Sequence, residues 1–224
     1  MSISKTDIHS GEINTHLERI NHEFADGFEF LKKYPKSVTV FGSSVAAPDQ
    51  EDYSAAEQLA GRVVTELGYA VLTGGGPGIM EAANKGAYQA GGVSLGLNVS
   101  IPRERITNAY VTHAIKFAYF FSRKVMLSFA AEAYIFFPGG YGTFDELFSL
   151  LCLIQTGKIP HVPVILYDSK FWKPLKSFLG EDMFKGYGTI EEKDLDIFEI
   201  TDSIDRALEI IKKAPVSEFW RNIN

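Results

Sequence analysis

Cysteine and long hydrophobic runs are both scarce in this sequence. Cys152 is the single cysteine among 224 residues, which excludes an internal disulfide framework and a cysteine cluster for zinc. It stands in the apolar run Leu150–Ile154, which favours a place in the core over a role as a nucleophile. No stretch approaches the ~18 continuous apolar residues of a membrane span, and residues 1–10 lack the apolar segment of a secretory signal. We therefore expect a cytoplasmic protein without a membrane partner.

Basic residues are also in deficit. The chain has 22 Lys and Arg residues against 28 Asp and Glu residues, which gives a formal net charge of −6. A protein that coats nucleic acid neutralises phosphates with clustered cations, so this balance argues against a nucleic-acid partner. With 46% hydrophobic residues and this length, the composition is that of an ordinary globular chain with a substantial core.

Short apolar runs alternate along the chain with helical patterns. The sequence predicts six strands, at residues 37–41, 69–72, 93–97, 133–137, 162–167 and 197–200. It predicts helices at residues 13–34, 53–67, 79–89, 122–131, 147–154, 171–179 and 204–213. The segment Tyr110–Phe120 is aromatic, and its secondary structure stays ambiguous. This alternation predicts an α/β fold, a mostly parallel sheet of about six to seven strands with helices on both faces.

The chain divides by pattern into three parts of one domain. We predict an N-terminal helical extension at residues 1–35, a core at residues 36–180, and a C-terminal strand and helix within residues 181–224. In a mostly parallel sheet, ligands bind at the carboxyl ends of the strands, near the point where the strand order reverses.

Three glycine-rich loops each follow a predicted strand directly, and so they lie on that one edge of the sheet. Their candidate ligand-binding residues are Gly42, Ser43, Gly74, Gly75, Gly76, Gly139, Gly140, Tyr141, Gly142 and Thr143. One such loop is weak evidence, since tight turns need glycine anyway. Three together favour a site for a nucleotide or a sugar phosphate, with the phosphate held by the free N–H groups of a helix N-terminus.

Two common nucleotide-binding motifs are missing. The loop after the first strand is Gly-Ser-Ser rather than Gly-x-Gly-x-x-Gly, and Ile79 stands where the second loop would need its third glycine. No Gly-Lys-Ser/Thr follows any of the loops, which excludes a P-loop. The sequence therefore favours a compact ligand with one phosphate over a dinucleotide.

Charged residues flank these loops. Glu146 follows the third loop, and a fixed carboxylate held ionised by the helix dipole suits a ribose hydroxyl or a positively charged transition state. The spacing Thr143-x-x-Glu146 is equally that of a capping box, in which Glu146 would only satisfy its own helix. Arg123 and Lys124 open a helix, where cations are unfavourable; they are either solvated or bind a phosphate or carboxylate.

Together these motifs resemble the LOG (Lonely Guy) family. They are Gly74-Gly-Gly-Pro-Gly-Ile-Met80, Arg123-Lys124 and Pro138-Gly-Gly-x-Gly-Thr-x-x-Glu146, and the similarity extends from about Val38 to Leu179. The resemblance implies a Rossmann-like fold and hydrolysis of the N-glycosidic bond of AMP, of a cytokinin riboside 5′-monophosphate, or of both. It also implies assembly as a homodimer or higher homo-oligomer, and the reaction calls for no cofactor and no metal.

The same resemblance assigns roles to single residues. Arg123 and Glu146 match the catalytic pair, and Lys124, Glu104 and the loop Gly140–Thr143 match ligand-binding positions. The alternative is a non-catalytic nucleotide-binding or sensor module of the same fold. A lysine decarboxylase fits poorly, because that chemistry normally needs pyridoxal phosphate on a lysine, and no lysine here has a recognisable cofactor setting.

Overall fold

The computed structural model describes residues 10–99 and 107–214. The strands are β1 Ser37–Phe41, β2 Ala70–Thr73, β3 Ser94–Val99, β4 His113–Phe117, β5 Ala133–Phe136, β6 Val164–Tyr167 and β7 Phe198–Thr201. The helices are α1 Ser10–Lys32, α2 Glu51–Arg62, α3 Ile79–Gln89, α4 Phe120–Ser128, α5 Tyr141–Gln155, α6 Ser169–Phe178 and α7 Ile204–Lys212.

The seven strands form one parallel sheet in the order β4-β3-β2-β1-β5-β6-β7. The order runs outward from β1 in one direction and then outward from β5 in the other, so the reversal lies between these two central strands. The prediction of a Rossmann-like α/β fold is confirmed. The ambiguous segment Tyr110–Phe120 contains the edge strand β4.

Helices cover both faces of the sheet, and each face has its own apolar core. On one face, Met126 of α4, Leu147 of α5 and Trp172 of α6 are fully buried against the sheet, with Leu31 of α1 beside them. On the other face, α2, α3 and α7 pack on β1, β2 and β5 through small and branched side chains. The strands are apolar on both sides for this reason. The sheet is therefore a rigid frame for the loops at its carboxyl edge.

Two expectations about α5 are wrong. The helix begins at Tyr141, six residues before the predicted start, because the glycine loop itself turns directly into helix. Cys152 is exposed rather than buried. The inward side of α5 is formed by Leu147, Leu150 and Ile154, and Cys152 falls on the opposite side of the helix. In the parts of the chain that the structure describes, no helix is both long and apolar enough to cross a membrane.

Candidate active site

A cavity of about 540 Å³ opens at the carboxyl edge of the sheet, across the point where the strand order reverses. Its size lies within the range of small-molecule sites. The lining residues are Phe41, Gly42, Ser43, Ser44, Val45, Gly74, Gly75, Gly76, Pro77, Met80, Asn98, Val99, Thr107, Phe120, Arg123, Gly140, Tyr141, Gly142, Thr143 and Glu146. The loops after β1, β2 and β5 thus meet in one place, together with both residues of the predicted catalytic pair.

The glycines let the loops approach one another closely. A Cβ on Gly42 would lie 2.7 Å from side-chain atoms of Ile79, and one on Gly139 would lie 2.1 Å from Thr143 Oγ1. Gly75 has a φ of 74°, a conformation that side chains rarely adopt, and a Cβ there would lie 2.0 Å from Asn98 Oδ1. Sterics alone therefore require glycine at these positions, whatever the ligand.

A buried polar network fixes the Gly74–Gly76 loop behind the cavity. Asn84 Oδ1 accepts from Thr73 Oγ1 at 2.7 Å and from Asn108 Nδ2 at 2.9 Å. Asn108 Nδ2 also donates to Gly76 O at 3.0 Å, and Gly75 N donates to Thr73 Oγ1 at 2.9 Å. Because these groups are bonded to one another, the loop is held in one conformation before any ligand binds.

The N-terminus of α5 faces the cavity with free amides. The first backbone N–H groups of a helix have no partner within it, and those of Tyr141, Gly142 and Thr143 belong to the first turn of α5. Within the described residues, no side chain caps this helix at Gly140. A 15-residue helix also carries partial positive charge at this end. The arrangement suits an anion such as a phosphate.

Glu146 lies one turn further along α5 and is 7% exposed. Burial raises the pKa of Glu146 to about 7, an effect that Arg123 and Lys124 only partly oppose. Loss of hydration therefore opposes the ionised form that we expected at this helix N-terminus, and the carboxyl is only partly ionised at neutral pH. The capping-box alternative is wrong: α5 begins at Tyr141, so Thr143 is already inside the helix.

Arg123 also lines the cavity and is held there by two contacts. Its Nε donates to Leu97 O at 2.7 Å, and its guanidinium lies 5.7 Å from the centre of the Phe120 ring. A Cβ on Gly74 would lie only 2.1 Å from Arg123 Nη2, so the guanidinium occupies the space that glycine leaves. Burial lowers the pKa of Arg123, and the nearby Glu146 carboxylate opposes this change. The cavity thus pairs a confined cation with a carboxyl that titrates near neutral pH.

Two predicted ligand residues, Lys124 and Gly139, lie outside the lining. Lys124 lies outside the lining, where its Nζ forms an ion pair with Asp145 and donates to Ser149 Oγ at 3.3 Å. The reason is that neighbouring residues of a helix do not share a face, so Arg123 and Lys124 diverge. Gly139 supports the loop behind the lining. Glu104 lies outside the described residues.

The structure adds lining residues that sequence analysis did not assign. Asn98 lies near the end of β3, on the same edge of the sheet as the three glycine loops. A polar residue at the end of a predicted strand could therefore have been assigned to the site from the sequence. Phe120 and Val45 give the cavity an apolar rim, being 48% and 76% exposed. Exposed apolar side chains at loop ends have no periodic pattern, so the sequence gave no comparable signal for them. Among residues 10–99 and 107–214, no group of His, Cys, Asp or Glu side chains is arranged to hold a metal ion.

Comparison with known proteins gives a consistent set of similarities. The family model described as "possible lysine decarboxylase" matches residues 80–211, a segment that includes Arg123 and Glu146. The cytokinin riboside 5′-monophosphate phosphoribohydrolase LOG5 of Arabidopsis thaliana is 32% identical over 165 residues, which cover 71% of this chain and 70% of that protein. The cytokinin riboside 5′-monophosphate phosphoribohydrolase of Rhodococcoides fascians is 28% identical over 163 residues, 69% of this chain and 79% of that protein.

Solved structures resemble the chain more broadly. The molybdenum cofactor binding protein from Rippkaea orientalis superimposes with a TM-score of 0.58 at 26% identity, over 79% of this chain and 95% of that one. The molybdenum cofactor carrier protein of Chlamydomonas reinhardtii superimposes with a TM-score of 0.59 at 20% identity, over 80% of this chain and 97% of that one. At that identity, the second likeness concerns the fold alone.

Proposed function

This chain belongs to the LOG family, and from that premise we propose that it hydrolyses the N-glycosidic bond of nucleoside 5′-monophosphates. The substrates are AMP, a cytokinin riboside 5′-monophosphate, or both, and the products are the free base and ribose 5-phosphate. In this reaction the bond between C1′ and the base nitrogen breaks, and the oxygen of a water molecule bonds to C1′. The two hydrogens of that water end on the new sugar hydroxyl and on the base nitrogen.

One observation carries the proposal: a single cavity holds the free N-terminus of α5, the buried Glu146 and the confined Arg123. The phosphate would bind the first amides of α5, which fixes the sugar against the adjacent carboxyl. Cleavage of an N-glycosidic bond passes through a positively charged, oxocarbenium-like state. Glu146 in its ionised form would stabilise that charge and orient the ribose through its hydroxyls.

Arg123 would act in the same cavity as Glu146. Its guanidinium would position the substrate or assist the departing base, while the ring of Phe120 beside it offers an apolar face to that base. The proposal also includes the assembly and the location predicted from the sequence, a homodimer or higher homo-oligomer in the cytoplasm.

The test is an assay for free base by chromatography. We expect adenine from AMP, or the modified base from isopentenyladenosine monophosphate, in equal amount to ribose 5-phosphate. Lysine serves as a control substrate, and we expect no cadaverine from it. Lys124, which follows Arg123 in the chain, forms an ion pair with Asp145 rather than being free to carry pyridoxal phosphate.

A second candidate function rests on the likeness to the Rippkaea orientalis protein, which binds the molybdenum cofactor. In this alternative the cavity holds a phosphorylated ligand without cleaving it. Calorimetry separates the two functions, because a binding module would take up AMP with no release of base. The hydrolase proposal fails if neither monophosphate yields free base under conditions in which AMP binds.

Replacement of Gly74 with alanine provides a further prediction. The new Cβ would lie 2.1 Å from Arg123 Nη2 and 2.8 Å from Met80 Sδ, so the guanidinium must move. We expect base release to fall by about tenfold to a hundredfold, since small misplacements of substrate-positioning groups have effects of this size. Stability should change little, because the displaced atoms are the far ends of flexible side chains.

The matched control is Gly180→Ala, far along the chain, where the new Cβ would meet its nearest neighbour, Leu195 Cδ1, at an ordinary 3.9 Å. It should release base at the unmodified rate. Equal rates for the two variants would show that the position of the Arg123 guanidinium does not limit the reaction. Thermal unfolding of both variants checks that each is folded.

A further inference from the structure

The helix that carries Arg123 receives its N-terminal partner from a distant part of the chain. In the described residues, no side chain caps α4 at Tyr119 from within the local segment. Instead, the Glu23 carboxylate of α1 accepts from Ala118 N at 2.6 Å and from Tyr119 N at 3.3 Å. It also accepts from the hydroxyl of Ser122. One carboxylate therefore binds three donors at the entry to α4.

This contact is confined and specific. The Glu23 side chain is 11% exposed, and its carboxylate lies 4.0 Å from Arg19 Nε. Carboxylates that accept several charge-assisted hydrogen bonds in such a setting hold their partners firmly. The negative charge also stands at the end of α4 that the helix dipole makes positive. It thereby offsets the unfavourable effect of Arg123 and Lys124 in the first turns of that helix.

The rest of α1 supports the same contact. Gly27 lies against Met126 of α4 so closely that a Cβ would meet Met126 Sδ at 2.6 Å. His16 Nδ1 lies 2.5 Å from the hydroxyl of Tyr119. The helix α1 therefore packs against α4 through His16 and Gly27. Glu23 lies between these two residues and adds the charged contact.

The path from Glu23 to the cavity is short. Ser122, which donates to Glu23, is followed directly by Arg123, and Tyr119 is followed directly by Phe120. Arg123 and Phe120 both line the cavity. A shift of the first turn of α4 would therefore move the guanidinium and the aromatic ring together.

We propose that Glu23 is a positioning residue for the cavity: through the N-terminus of α4, the helix α1 sets the placement of Arg123. This inference rests on the hydrolase function proposed above, because that function defines the reaction in which Arg123 acts. Glu23 itself is not among the residues that line the cavity. The N-terminal helix is, on this basis, a part of the active-site framework rather than an appendage.

The test compares Glu23→Gln with Glu18→Gln, which alters an exposed carboxylate on the same helix. Glutamine keeps the shape of Glu23 but removes its charge, and its amide group turns a donor toward the backbone N–H groups of α4. We expect the kcat for AMP to fall about tenfold in Glu23→Gln, with Glu18→Gln unchanged. Glu23→Asp, which keeps the charge on a shorter arm, should recover part of the loss.

A double variant separates positioning from a general loosening of the fold. In the Arg123→Lys background, the added Glu23→Gln change should lower kcat no further, because both changes act on the same group. A full additional tenfold loss would overturn the proposal, as would unmodified kcat in the folded Glu23→Gln protein. Circular dichroism and thermal unfolding establish that each variant is folded.

Calorimetry of AMP binding distinguishes this proposal from the proposed function. If the wild-type protein binds AMP but releases no base, the hydrolase function fails, and Glu23 is then judged by affinity alone. We expect AMP to bind about tenfold more weakly to Glu23→Gln than to Glu18→Gln. Equal affinities in that case would overturn the positioning role.

Discussion

Replacing Glu146 with glutamine is expected to slow the release of base from AMP by about a hundredfold or more, since removal of one group that stabilises transition-state charge has effects of this size. Glutamine has nearly the same shape, so the substrate should still bind and the loss should appear in kcat. The carboxylate is the form that stabilises a developing positive charge. Activity of the wild-type protein should therefore rise with pH through about 7, the pKa to which burial raises Glu146.

The same substitution should raise stability at alkaline pH. Because the pKa of Glu146 in the folded protein lies near 7, above its usual 4.5, folding favours the protonated carboxyl. That favourable contribution is complete below about pH 4.5 and is lost as the pH rises through about 7. At pH 8 the Gln variant should thus exceed the wild type by up to about 3 kcal/mol in the free energy of unfolding, at ~1.4 kcal/mol per pKa unit.

Urea unfolding at pH 4.5 and pH 8 measures this difference, and the chromatographic assay measures the rate. Asp145→Asn is the matched control, since Asp145 directly precedes Glu146 in α5 but is half exposed and forms an ion pair with Lys124 outside the cavity. It should change neither the rate nor the pH dependence of stability to a comparable extent. A Glu146→Gln protein that releases base at the wild-type rate would exclude Glu146 from catalysis, whatever its stability.

A loss of activity together with a gain in stability would have a specific meaning. A residue that serves only its own helix stabilises the protein, so its removal lowers stability. A residue kept for its chemistry in a dry site can oppose folding instead. A capping role and a chemical role for Glu146 therefore predict opposite signs at pH 8, so this measurement checks the exclusion of the cap independently of the geometry of α5.

Most of the fold could be predicted because the strands of a parallel sheet are covered on both faces. Such strands appear as continuous apolar runs, as in Ala133–Phe136, and the helices between them keep an apolar stripe. Strand β4 escaped prediction for the opposite reason. Among the described residues it lies at the edge of the sheet and pairs only with β3, and it is largely exposed, so it has no apolar run to mark it.

The site was predictable where it depends on topology and unpredictable where it depends on packing. Loops that follow parallel strands must share one edge, so Gly42, Gly75 and Gly140 could be placed together from the sequence. The high pKa of Glu146 could not, because it follows from the burial of this carboxyl in the folded protein. The contact between Glu23 and α4 spans about 95 residues, and no local pattern records it.

Substitution of Arg123 tests the other half of the predicted pair, and two replacements separate its charge from its shape. Lysine keeps a positive charge but cannot reproduce the planar fork that donates to Leu97 O while facing the cavity. Methionine keeps much of the volume and removes the charge. We expect base release to fall about a hundredfold in Arg123→Lys and further in Arg123→Met, as is usual when a preorganised electrostatic group is lost.

The two variants should differ most in their pH dependence. Arg123 lowers the pKa of Glu146, so its removal in Arg123→Met should raise that pKa further and move the rise in residual activity to higher pH. Arg123→Lys should show a smaller displacement, because the ammonium still favours the ionised carboxyl. The pH profile of kcat/KM measures the displacement, with Lys116→Met, an exposed lysine of β4, as the control. Profiles that coincide in wild type and Arg123→Met would mean that Arg123 does not set the ionisation of Glu146, and an unchanged rate in Arg123→Met would remove Arg123 from the catalytic pair.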